Sequence, residues 1–139
     1  MKLGTGAEKE RFVEKRILFV DDESELCLEW QKVLQQKFTV IFLCTQADAV
    51  HAAKTWEFSV LVVDLYLPPT DSKDDVRGGI DVYRAFRVYN STAPVILLTN
   101  ANDPHMFSQF KAEDEHFHVA RKRYWDPEDL LELVQSLLE

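Results

Sequence analysis

The chain has 139 residues, 46% of them hydrophobic, and a formal net charge of -8. That length fits one domain with a single core, and an acidic surface without a basic stripe argues against direct nucleic-acid binding. No apolar run reaches the roughly 18 residues of a membrane span, and the N-terminus lacks the apolar segment of a secretory signal, so a cytoplasmic location is expected.

Residues 1–15 are polar and charged and read as a leader; the domain is expected over 16–139. Ile17-Leu-Phe-Val20 is a short, wholly apolar run that stops at acids. Leu26, Trp30, Val33 and Leu34 then recur at helical spacing, and Thr39 to Leu43 is a second apolar run. Ala49, Val50 and Ala53 give a short helical face, followed by a third run, Ser59 to Val63. A polar segment from Pro69 to Arg77 precedes Gly78-Gly79 and reads as a solvated surface insertion, with a partner contact or a lid beside the site as the alternative. Ile80, Val82, Tyr83 and Phe86 form the next helical face, and Pro94 to Leu98 the fourth strand. Asp103-Pro104 is a helix-start signal, a cap followed by proline at the first helical position, ahead of Met106, Phe107 and Phe110. His116 to Ala120 is the fifth strand, and Asp126-Pro127-Glu128 opens a last helix carrying Leu130, Leu131, Val134, Leu137 and Leu138.

Continuous apolar strands alternating with amphipathic helices suit an α/β fold, a doubly wound parallel sheet with right-handed crossovers. Ligands of such sheets bind at the carboxyl ends of the strands, where strand order reverses. The residues there are Asp21-Asp22-Glu23 after the first strand, Asp64 after the third, Thr99 after the fourth and Arg121-Lys122-Arg123 after the fifth. Crowded carboxylates resist joint ionisation unless a hard cation relieves them, and Mg2+ favours such oxygen donors. An aspartate beside it can act as a nucleophile towards phosphorus, with a hydroxyl and a cation holding the other phosphoryl oxygens.

Other residues have blander readings. Cys27 and Cys44 form no ligand pair or redox motif and are expected as small buried side chains. Trp30, Trp56 and Trp125 are expected in the core or between helices. His116 and His118 alternate on a strand without a third metal ligand, which makes a structural or solvated role the expectation.

Four segments in order, Ile17-Leu-Phe-Val-Asp-Asp-Glu23, Val62-Val-Asp-Leu-Tyr-Leu-Pro68, Pro94-Val-Ile-Leu-Leu-Thr99 and the region of Lys122, resemble the receiver domains of bacterial response regulators. The resemblance runs from about residue 16 to the end. It implies the flavodoxin-like receiver fold, five strands in order 2-1-3-4-5, as in the chemotaxis regulator that typifies the family. It also implies roles: Asp64 as phosphoacceptor, Asp21, Asp22 and Asp64 as Mg2+ ligands with Asp22 the direct one of the first pair, Tyr66 lending its backbone carbonyl to the metal, and Thr99 and Lys122 as the hydroxyl and cation of the site. The implied partners are a histidine kinase or phosphotransfer protein upstream and an effector protein or domain downstream, with a homodimer compatible and no membrane partner.

The sequence departs from the family in places. Lys122 is followed by Arg123 where the family has proline, so either Lys122 or Arg123 fills the cation position. Asn100 follows Thr99 where a small residue is usual, and Val119 or Ala120 stands where the family has an aromatic switch residue. The competing function is a pseudo-receiver, an interaction module independent of phosphate. An aspartate-nucleophile phosphatase ranks below both, because Tyr66 stands where its second acid would be.

Overall fold

The computed structural model describes residues 15–67 and 78–139. The polar leader before Lys15 and the 69–77 insertion lie outside the described residues. Five strands and five helices alternate: β1 Arg16–Val20, α1 Leu28–Leu34, β2 Thr39–Leu43, α2 Gln46–Thr55, β3 Val60–Val63, α3 Gly78–Tyr89, β4 Val95–Thr99, α4 Pro104–Glu113, β5 Phe117–Arg121 and α5 Pro127–Leu137. The strands form one parallel sheet in the order β2-β1-β3-β4-β5. The expected fold is therefore the observed one.

The apolar strands bury both faces, and the two-residue period of a strand sends alternate side chains to opposite layers. Leu18, Val20, Leu61, Val63, Val95, Leu97 and Phe117 meet α2, α3 and α4. Ile17, Phe19, Val60, Val62, Ile96, Leu98 and Ala120 meet α1 and α5. Across these layers α2 packs on α3 and α1 on α5. Two helices start where the cap signals put them. Asp103 accepts from the Met106 N–H at 3.1 Å. Asp126 and Asp129 form a reciprocal capping box, each side chain taking the other's backbone N–H.

Four expectations are corrected. Leu26 is 70% exposed, because residues 24–27 form a turn, α1 begins at Leu28, and Cys27 takes the inward position instead. Cys44 is exposed; it stands past the end of β2, in the connection that leads into α2. Trp56 is half exposed; it closes α2 and stacks on Phe58 at the rim rather than entering the core. The fifth strand runs from Phe117 to Arg121, one residue later than its apolar pattern suggests, because Asp114 captures the His116 N–H and makes the turn before it.

Candidate functional site

Sheet order decides which strand ends meet. β1 and β3 are neighbours, but the chain leaves β1 towards β2 and leaves β3 towards β4, in opposite directions, and so opens a crevice at their carboxyl ends. Asp21 and Asp64 follow β1 and β3 there. The Asp21 N–H donates to the Leu43 carbonyl at 3.2 Å and the Asp64 N–H to the Val20 carbonyl at 3.1 Å, which fixes both backbones to the sheet. Both side chains are buried.

Lys122 joins them. Its Nζ donates to Asp21 Oδ2 at 2.6 Å and to Asp64 Oδ2 at 2.9 Å, with Glu23 Oε1 at 3.7 Å. The turn after β5 delivers it: Lys122 N–H bonds the Thr99 carbonyl at 3.0 Å, and the Tyr124 and Trp125 N–H groups both return to the Arg121 carbonyl. Arg123 is exposed, whereas Lys122 reaches the two carboxylates.

The remaining expected residues surround this centre. Thr99 is fully buried, and its hydroxyl accepts from the Ala101 N–H at 3.1 Å. Tyr66 donates its N–H to Asp64 Oδ1 at 3.2 Å, orienting the carboxylate, and the residue is 46% exposed. Asp22 faces solvent at the rim. The sequence reading assigned no role to Glu23, yet Asp21, Glu23 and Asp64 each offer a carboxylate oxygen within 4.8 Å of the others. The signal that would have found it is local: Asp21 Oδ1 accepts from the Glu23 N–H at 2.9 Å, a turn that folds the third acid back over the first. Cys27 is buried, as its small apolar side chain led one to expect. Its thiol is buried against Asp21 and its pKa is pushed up to about 12, by burial first and then by the Asp21 charge.

The electrostatics are lopsided. One ammonium, Lys122, faces the carboxylates of Asp21, Glu23 and Asp64. Burial works against the charged ammonium, but hydrogen bonds and charge from Asp21 and Asp64 outweigh it and hold its pKa above the ordinary lysine value. Asp22 is raised, by partial burial first and then by repulsion from Asp21, Glu23 and Asp64. A hard divalent cation with oxygen ligands fits this set: the donors are all carboxylates, they converge, and their negative charge exceeds what Lys122 neutralises.

The response regulator receiver domain family matches residues 17–135. The chain belongs to that family. Solved receivers superpose on most of it. The receiver domain of DrrB, titled as BeF3-activated, is 26% identical, with a TM-score of 0.71 over 91% of this chain and 98% of that one. The Vibrio cholerae chemotaxis protein CheY4 is 22% identical, with a TM-score of 0.73 over 91% of this chain and 100% of that one. A CheY-like receiver from Methanospirillum hungatei is 20% identical, with a TM-score of 0.72 over 90% and 94% of the two chains. No curated protein matches the chain by sequence. This receiver is thus a component of the two-component response regulator class, and its acidic crevice lies where the sheet order opens.

Proposed function

We propose that this receiver takes a phosphoryl group onto Asp64 and so switches a surface read by a partner protein. The observation that carries the reading is the Lys122 ammonium bridging Asp64 and Asp21, with Glu23 in reach, at the mouth of the crevice. A carboxylate oxygen of Asp64 attacks phosphorus as the donor's P–N bond breaks, giving an acyl phosphate on Asp64; the departing imidazole takes its proton from solvent. The Tyr66 N–H holds one carboxylate oxygen of Asp64 and the Lys122 ammonium the other. Lys122 and the Thr99 hydroxyl neutralise and hold phosphoryl oxygens. Asp21, Asp64 and Glu23, with Asp22 at the rim and the Tyr66 carbonyl, would hold Mg2+, which supplies charge neutralisation and orientation of phosphoryl oxygens when bound.

The donor in this reading is a histidine kinase or phosphotransfer protein, the reader an effector protein or domain, and the setting the cytoplasm; no helix among the described residues is long and apolar enough to cross a membrane. Attraction of Thr99 towards the phosphoryl group breaks its bond to the Ala101 N–H and shifts the population of the loop leading into α4. The test is intact mass after incubation with Mg2+ and acetyl phosphate, beside Asp64→Asn. The expected result is one phosphoryl adduct that requires Mg2+ and is absent from the variant. An adduct that survives Asp64→Asn, or none with either acetyl phosphate or a phosphorylated donor protein, overturns the proposal.

A further inference from the structure

We infer that Gly79 is a positioning residue for the phosphoacceptor: the missing side chain at the start of α3 sets where the Asp64–Leu65 backbone lies. This rests on the reading of Asp64 as the phosphoacceptor. A Cβ at Gly79 would stand 2.0 Å from the Asp64 carbonyl oxygen, 2.9 Å from its carbonyl carbon and 3.0 Å from Leu65 Cα. An ordinary C···O contact is roughly 3.3 Å or more, so a side chain there demands a displacement on the order of 1 Å. All three neighbours are backbone atoms, which cannot swing aside as the end of a flexible side chain would.

Neither partner is free to retreat. Behind Gly79, α3 is held by the buried side chains of Val82, Tyr83 and Phe86. On the other side, Asp64 follows a strand buried along its whole length and is tied by its N–H to Val20 at 3.1 Å. The contact is also clasped by a hydrogen bond, Gly79 N–H to the Leu65 carbonyl at 3.2 Å. Displacement of the Asp64 carbonyl therefore carries the Tyr66 N–H away from Asp64 Oδ1 and the carboxylate away from Lys122 Nζ. Misplacement of reacting groups by about 1 Å costs about 10²-fold in rate. Gly78 supplies the internal comparison. A Cβ there would meet the Leu67 carbonyl oxygen at 2.1 Å and Gln46 Oε1 at 2.8 Å, three residues past the acceptor.

The experiment compares Gly79→Ala with Gly78→Ala. Thermal melts measure the stability each loses, acetyl phosphate with Mg2+ gives the phosphorylation rate, and 1H–15N spectra of the metal-free proteins report the Tyr66 amide. Gly79→Ala is expected to slow phosphorylation about 100-fold and to shift the Tyr66 amide, while Gly78→Ala loses comparable stability yet keeps its rate within a few-fold. If the two rates fall in proportion to lost stability, or the Tyr66 amide is unmoved in Gly79→Ala, both glycines serve packing alone and the inference is overturned. Should Gly79→Ala not fold in buffer, trimethylamine N-oxide favours the compact state and the comparison is read there. A wild-type protein that takes no phosphoryl group retires the functional reading separately, and the metal-free Tyr66 amide still decides the positioning role.

Discussion

Lys122 and Arg123 are neighbours of similar charge with very different surroundings. Lys122 Nζ lies between two carboxylates whose side chains are almost wholly buried, whereas Arg123 is exposed. Removing one partner from a buried ion pair strands the other charge at several kcal/mol, while exposed substitutions rarely matter. Lys122→Ala is therefore expected to destabilise the fold by about 3 kcal/mol in urea titrations without divalent cation, and to recover part of that with Mg2+. Arg123→Ala is expected to stay within about 0.5 kcal/mol of wild type under both conditions. The opposite ranking would assign the cation position to Arg123. Sequence left this choice open because the two residues are adjacent on the chain. The turn that closes on the Arg121 carbonyl makes the choice, by aiming one side chain into the crevice and the other out.

Among the elements, α4 and α5 were the most legible, because a cap and a proline act within one turn and depend on nothing distant. Asp126 accepts from the Asp129 N–H at 3.0 Å, and Asp126→Ala is expected to lower stability by about 1 kcal/mol, with faster amide exchange confined to the first turn of α5. Exchange that rises across the whole sheet instead would contradict a local cap. The start of α1 was the least legible. Leu26 fits the helical spacing as well as any apolar residue, but the turn at 24–27 interrupts that spacing and turns Cys27 inward. Trp56 and Cys44 fail for a related reason: a side chain's apolar character favours burial only where another element arrives to cover it.

At the scale of the whole molecule, α3, the β4 approach and the start of β5 are knotted together around Asp114. Tyr83 donates to Asp114 Oδ2 at 2.6 Å, Arg87 Nε donates to the same oxygen at 3.0 Å, and Arg87 also holds the carbonyls of Asn90 and Ala93. Burial opposes the Asp114 charge, but hydrogen bonds from Tyr83 and the His116 N–H, with the Arg87 charge, outweigh it and hold this carboxyl below its ordinary pKa of 3.8. A depressed carboxyl stabilises the fold above its unfolded pKa, and the contribution is lost as pH falls through the lower, folded value. Tyr83 is raised from 10 to about 12, by burial first and then by Asp114, so its contribution is complete below pH 10 and lost as pH rises towards 12. Thermal melts across pH should show an acid limb below about pH 4 that Asp114→Asn removes and an alkaline limb above about pH 10 that Tyr83→Phe removes. Limbs that persist in both variants would place the titrating groups elsewhere.

The sequence by itself determined the order of strands and helices, the starts of α4 and α5, and the gathering of acids, Thr99 and cations at one edge. Those features follow from hydrophobic period and turn chemistry, which act over a few residues. Only the tertiary structure decided that Glu23 joins Asp21 and Asp64, that Lys122 rather than Arg123 reaches them, and that Gly79 presses on the Asp64 carbonyl. Lys122 and Asp21 lie 101 residues apart and meet at 2.6 Å. No local pattern encodes such a contact; strand order and the exit angle of each turn create it.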